Sequence, residues 1–255
     1  MSKLTIRPLN TGWTHVDKGL YLTYHRNVGQ KVDIPVGAFL IEGGDQLVLV
    51  DTGMADTERA NKYHHPGDHQ EPGQAIHENL AAIGIKPEDI DLVIFTHLHW
   101  DHTSNMKRFI NARFVAHRRE YEFALNPIPL YYKSYEHPIL GIERPFEGVK
   151  FELVDGEEEI VPGIRVFPTP GHSPGHQAVI VETAKGEYIL AGDAVFIWEN
   201  LEPIPELHYP FTPPGRFACL LDAWRSMEEI IRRAKGKEFI LPTHEIAIFE
   251  KTIYP

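Results

Sequence analysis

The chain is poor in cysteine, in positive charge and in long apolar runs, and each shortage removes a class of protein. Cys219 is the only cysteine among 255 residues, so no intrachain disulfide can form and a small disulfide-stapled secreted scaffold is excluded. Lysine and arginine number 25 against 36 aspartates and glutamates, a net charge of −11, which opposes binding to a phosphate backbone; nucleic acid is discounted as a partner. No stretch approaches the roughly 20 consecutive apolar residues of a membrane span. The opening residues Met1 to Pro8 also lack the apolar core of a signal peptide. A cytoplasmic protein without a membrane partner is therefore expected.

With 42% hydrophobic residues the chain can bury a full core. A single domain over 1–255 is expected, because this length lies within the range of larger one-domain layered folds. Two apolar runs, Pro35–Ile41 and Leu47–Val50, flank Gly43-Gly44 and read as a β-hairpin. Asp91 to Phe95 has the length and apolarity of a buried strand. Further strands are expected at 113–116, 150–153, 164–168, 177–182, 188–191 and 239–241. Helices are expected at about 74–83, 118–125 and 215–234. Strand pairs with peripheral helices imply two sheets face to face with helices outside. The aromatic, proline-rich insert at about 126–146 has two readings: its Ile128–Tyr132 segment touches a substrate's acyl chain, or it packs against the body or the partner subunit of a homodimer.

Fifteen histidines stand beside the single cysteine, pointing to imidazole and carboxylate chemistry. Thr96-His97-Leu98-His99-Trp100-Asp101-His102 brings four ligand-type residues together directly after a predicted strand. In extended backbone His97 and His99 share a side; a turn into helix then sends Asp101 and His102 in another direction. Two adjacent metal sites follow from that pattern. His172 lies on the Pro/Gly-rich loop Thr169–His176, while Asp193 and His244 each end a strand. Taken singly, Asp193 reads equally as a turn cap and His244 as a hydrogen-bonded histidine. Tyr63–His69, which contains three further histidines, reads as a mobile polar loop rather than another metal site.

The series from His97 to His244 resembles the H-x-H-x-D-H…H…D…H motif of the metallo-β-lactamase superfamily, and Asp51-Thr52-Gly53 resembles its D-T-G element. Within that group Val50–Met54, Thr96–His99, Arg119–Glu122 and Thr169–Gln177 are most similar to the N-acyl homoserine lactonases. The resemblance implies an αββα sandwich of the α/β (α+β layered) class. It implies a first divalent ion on His97, His99 and His172, a second on Asp101, His102 and His244, and Asp193 bridging them. Zinc is the expected metal, with iron, cobalt or manganese compatible with the same ligands. The implied activity is quorum quenching: a metal-bridging hydroxide opens a small-molecule lactone or ester, and Asp101 passes a proton to the leaving alkoxide. A thioester, β-lactam, phosphoester or other ester is the alternative substrate, and a non-catalytic metal-binding module ranks below both.

Asp51 is expected either to orient a ligand imidazole or to cap a turn, and His176 to pack or support rather than ligate. One departure stands out. The lactonases carry tyrosine three residues after the bridging aspartate, where this chain has Phe196. The missing phenol implies weaker lactone turnover unless Tyr209 or another donor enters the pocket.

Overall fold

The computed structural model describes residues 4–255. Two sheets make its centre. The first has six strands in sequence order, β1 (Thr5–Asp17), β2 (Lys31–Glu42), β3 (Val48–Val50), β4 (Leu92–Ile94), β5 (Arg113–His117) and β6 (Glu152–Val154). Its first two pairings are antiparallel and the remaining three parallel. In the second sheet β7 (Glu158–Val161), β8 (Ile164–Pro168), β9 (Gln177–Thr183) and β10 (Gly186–Gly192) form an antiparallel meander, and β11 (Ile240–Pro242) lies parallel to β10.

Register decides which side chains meet. Phe39 pairs with Val50, Val50 with Ile94 and Ile94 with Val115, so one apolar row crosses the first sheet and faces Val179, Val181 and Leu190 of the second. Because strand side chains alternate, the intervening residues Leu40, Leu49 and Val93 point to the opposite face, where α3 (Ile76–Ala82) supplies Ile76 and Leu80. The outer face of the second sheet, Ala178, Ile180 and Ile189, takes Met227 and Ile230 of α6 (Leu220–Arg233). Four layers result, helix–sheet–sheet–helix, as the resemblance implied. The shorter helices are α1 (Lys18–Tyr21), α2 (Thr57–Tyr63), α4 (Trp100–Thr103) and α5 (Arg118–Leu125).

The expected hairpin, buried strand and α5 appear where the sequence placed them. The thirteen-residue β1 does not announce itself, because Pro8, Asn10 and Gly12 interrupt its pattern. An edge position tolerates Pro8, and a register shift between Asn10 and Trp13 absorbs Gly12, whose φ is 142°. α6 begins five residues after the expected start at Gly215. The preceding segment is tied to the His172 loop instead, with Ala218 and Cys219 N–H donating to the Gly171 carbonyl. In the insert Tyr131, Tyr135 and Phe146 are buried in the helix-side core, whereas Leu130 is exposed and reaches the cleft described below. The reading in which the insert packs against the body thus holds for its aromatics, while Leu130 lines the cleft.

Leu190 is fully buried between the sheets. Leu190→Ala should cost roughly 2–5 kcal/mol through lost burial and the cavity left behind, measured by urea unfolding. A loss below about 1 kcal/mol would contradict the placement of the main core at this interface.

Candidate metal centre

Parallel strands carry their C-terminal ends to one edge, and the candidate residues sit on the turns leaving it. β3 leads into Asp51, β4 into His97 and β10 into Asp193. β11 leads into His244, and the pairing of Gly192 with Pro242 sets Asp193 and His244 side by side. His172 joins them from the loop between β8 and β9. All seven sequence-predicted residues converge, and all except the partly exposed Asp101 are buried.

The ring nitrogens fall into two sets. His99 Nδ1 lies 3.0 Å from both His97 Nε2 and His172 Nε2. Across from them His102 Nε2 and His244 Nε2 lie 3.8 and 4.0 Å from Asp101 Oδ2. Asp193 stands between the sets. Its Oδ2 is 3.3 Å from His172 Nε2 and 3.9 Å from His97 Nε2, while its Oδ1 is 3.2 Å from His244 Nε2 and 3.4 Å from His102 Nε2.

Outer hydrogen bonds fix which ring nitrogen carries the proton. His102 Nδ1 donates to Asp51 Oδ2 at 2.8 Å and His244 Nδ1 to the Pro35 carbonyl at 2.8 Å. His172 Nδ1 donates to the Arg216 carbonyl at 3.3 Å. Thr96 spends its hydroxyl proton on Asp51 Oδ2, so its oxygen accepts from His97 Nδ1 at 3.1 Å. Four imidazoles therefore turn Nε2 inward. His102 Nε2 and Asp193 Oδ1 are buried with no hydrogen-bond partner, an arrangement that costs about 1–3 kcal/mol per group unless something satisfies it. Cations at the two foci would satisfy every one of these atoms, and the nitrogen and carboxylate donor set suits divalent transition metals. The residues fit two metal ions.

The electrostatics agree. Burial holds His97 and His99 well below the ordinary histidine pKa, reinforced by neighbouring imidazoles, and brings His172 down to about 4 despite Asp193. The first set is thus neutral and ready to ligate. Burial also opposes charge on His102 and His244, yet nearby carboxylates overcome it: Asp51, Asp193 and Asp101 raise His102 well above its usual value, and Asp193 and Asp101 raise His244. A field that attracts a proton there attracts a metal cation as well. Burial would raise the Asp193 carboxyl, but His244, His102 and His172 outweigh it and keep the group ionised.

The metallo-β-lactamase superfamily model matches residues 33–244, which include the whole cluster. The chain belongs to the metallo-β-lactamase superfamily. An N-acyl homoserine lactonase of Bacillus thuringiensis is 31% identical over 228 residues, covering 86% of this chain and 84% of that protein. Another, from a Bacillus species, is 34% identical over 184 residues, covering 68% and 69%. A solved B. thuringiensis structure with N-decanoyl-L-homoserine bound at its active site superposes with a TM-score of 0.78 at 25% identity, covering 98% of this chain and 96% of that one. This member of the superfamily is a metal-dependent hydrolase.

Three supports around this metallo-β-lactamase centre link segments distant in sequence. Asp51, at a strained φ of 59°, accepts from the backbone and hydroxyl of Thr96 at 2.8 Å each as well as from His102. It therefore orients an imidazole, one of its two expected roles. His176 Nε2 accepts from Asp193 N–H at 3.0 Å, and burial drives its own pKa to about 3; a Cβ on Gly192 would approach that nitrogen to 2.6 Å, so the glycine admits the contact. Glu120 is the support that sequence reasoning missed. Its fully buried carboxylate accepts from Leu98 N–H (3.1 Å), the Tyr135 hydroxyl (2.8 Å), the Ser173 hydroxyl (2.7 Å) and Gly175 N–H (3.0 Å). One side chain fastens the His97–His99 turn to the His172 loop and to the insert. Its only sequence signal is that Glu120 falls within Arg119–Glu122, one of the segments similar to the lactonases; nothing local shows that the carboxylate is buried.

The open cleft above the centre adds corrections. The Tyr63–His69 segment is anchored at two points: His64 is buried and stacks on Trp100 at 3.8 Å, and Asp68 is wholly buried. Asp68 Oδ1 accepts from the Thr14 hydroxyl at 2.7 Å, Thr14 lies 3.2 Å from His65 Nδ1, and His65 Nε2 lies 3.1 Å from the Tyr21 hydroxyl. Thr14, Tyr21 and His65 line the cleft beside Asp101 and Asp193. Phe196 also lines it, stacked on His244 and edge-on to His172, both at 5.3 Å. Tyr209 packs against Trp224 instead, at 5.6 Å, and does not line the cleft.

Glu120→Ala removes the acceptor for four donors and should lower stability by at least about 3 kcal/mol, with weaker metal retention. Urea unfolding and metal analysis after dialysis check both. Wild-type stability together with full metal content would contradict the fastening role.

Proposed function

We propose that the protein is a dinuclear metal-dependent lactonase that opens an N-acyl homoserine lactone or a related lactone. The observation that carries this reading is the placement of Asp193, one oxygen toward each nitrogen set, in a chain that aligns with N-acyl homoserine lactonases over most of its length. His97, His99 and His172 would hold one ion and Asp101, His102 and His244 the other, with Asp193 shared. Zinc is the proposed metal. When bound, two adjacent divalent ions supply a water of lowered pKa as nucleophile and polarise the substrate carbonyl.

The chain's own groups do the rest. Asp101, the one partly exposed carboxylate of the set, borders the cleft where the leaving alkoxide must depart, and we assign it the proton delivered there. Phe196 and Leu130 give the cleft an apolar wall. The exposed thiol of Cys219 accords with a reducing compartment, and we place the enzyme in the cytoplasm.

A second reading follows from Phe196. At the face of His172 and His244 it contributes a ring and no hydroxyl, so position 196 offers a substrate carbonyl no donor, and the phenol lining the same cleft is that of Tyr21. A thioester, phosphoester, β-lactam or other ester that does not depend on a donor at position 196 is the alternative. Assay of metal-loaded protein on acyl homoserine lactones, simple lactones, nitrocefin, thioesters and phosphodiesters separates the two. Lactone turnover is expected, reduced by the missing phenol at position 196; inactivity on every lactone beside efficient hydrolysis of another class would establish the alternative.

Two substitutions sharpen the proposal. Asp193→Ala should lower bound metal from two ions per chain to one or none and turnover by at least about a hundredfold, since one residue serves both foci; two retained ions with near-normal rates would remove the shared assignment. Phe196→Tyr should raise lactone kcat/KM selectively. One oriented donor is worth up to about 2.7–4 kcal/mol where the site depends on it, and an adjacent metal reduces that dependence. No gain on any lactone at equal metal content would show that the phenol is not the limiting feature.

A further inference from the structure

The cleft holds a guanidinium that forms no ion pair among the described residues. Arg216 is half-buried and lines the cleft together with His99, His172 and Asp193. Its backbone is committed: Arg216 N–H donates to the Tyr21 carbonyl at 3.1 Å and its own carbonyl accepts from His172. Of its side chain, Nη2 donates to the Ser134 hydroxyl at 3.1 Å, and Cζ lies 5.6 Å from the centre of the Tyr21 ring. No carboxylate among the described residues forms an ion pair with it. Several other arginines are paired closely, Arg113 with Glu152 at 2.8 Å, Arg165 with Glu187 at 2.7 Å and Arg233 with Glu157 at 2.9 Å.

Lys133 stands at the same cleft, its ammonium held by the His64 carbonyl and likewise without an acidic partner among the described residues. In a protein of net charge −11, two unpaired cations converge on the one cleft that contains the candidate metal centre. A partly desolvated guanidinium retains donors in a fork that matches a carboxylate.

We propose that Arg216, with Lys133 at the rim, selects substrates that carry a carboxylate close to the bond being hydrolysed. The identity of that bond rests on the lactonase reading; recognition of the carboxylate does not. The wall formed by Leu130, Phe196 and Ile34 then accommodates a compact apolar body, and the cations fix its charged end.

The test uses metal-loaded protein and two γ-lactones, one bearing a carboxylate on its γ carbon and one, γ-valerolactone, bearing a methyl there, together with the ring-opened hydroxy acid of each as calorimetric ligands. The carboxylated lactone should have the higher kcat/KM, with the difference residing in KM, and its hydroxy acid should bind at least about tenfold more tightly. A net charge-assisted hydrogen bond corresponds to roughly ten- to a hundredfold. Arg216→Gln should erase the preference and Arg216→Lys retain part of it, which separates lost charge from lost folding; Lys133→Gln should reduce it less. No KM advantage for the carboxylated lactone over γ-valerolactone, or a preference that survives Arg216→Gln, overturns the proposal. Carboxylate-selective, Arg216-dependent binding without turnover of either lactone would instead sustain it while removing the lactonase reading.

Discussion

Seven ligand-type side chains directed at one another across gaps of 3–4 Å dominate this molecule. Buried imidazole lone pairs facing buried lone pairs repel, and a carboxylate oxygen without a donor is costly in an apolar surrounding. Such a cluster is stable only around positive charge. The neutral state of the first histidine set and the pull of Asp51, Asp101 and Asp193 on His102 both express the same requirement.

The sandwich exists to hold that unfavourable arrangement in place. Short, fully buried strands such as Val48–Val50 and Leu92–Ile94 contribute little surface for function, but their parallel pairing brings several chain turns to one edge, where ligands bind in sheets of this kind. The turns are then tied to each other rather than only to their own strands. Asp51 joins the β3 end to Thr96 and His102, His176 holds the backbone of Asp193, and Glu120 binds three segments at once. Rigid outer partners of this kind set ligand direction and keep the protons on the outer nitrogens.

Most of the centre was legible in the sequence because its ligands are crowded into His97–His102 and because His172, Asp193 and His244 each follow a recognisable strand. The α/β layering followed from strands that alternate or run fully apolar. Three kinds of feature stayed hidden. β1 carries proline and glycine at positions that only an edge strand and a bulge excuse. Glu120 and Asp68 look like surface acids, since nothing local signals that a charged residue will be buried by donors arriving from far along the chain. The Tyr63–His69 loop looked mobile for the same reason: its order comes from stacking on Trp100 and from Thr14, partners 36 and 54 residues away from His64 and Asp68 respectively. Sequence periodicity reports neighbours on one element, and these contacts are all between elements.

The cleft gives the scaffold its individual character. Phe196 preserves the packing against His172 and His244 while withdrawing a hydroxyl, and Tyr21, His65 and Thr14 add a polar wall opposite. Such differences alter which substrate the same metal chemistry reaches, since activity resides in the site rather than the fold. The central claim is that this cluster is built around two cations sharing Asp193. An anomalous-scattering map from crystals of the metal-loaded protein tests it directly. It should show two peaks per chain, one among His97, His99 and His172 and one among Asp101, His102 and His244, with an Asp193 oxygen next to each; a single peak, or peaks outside these residues at full metal loading, would contradict the account.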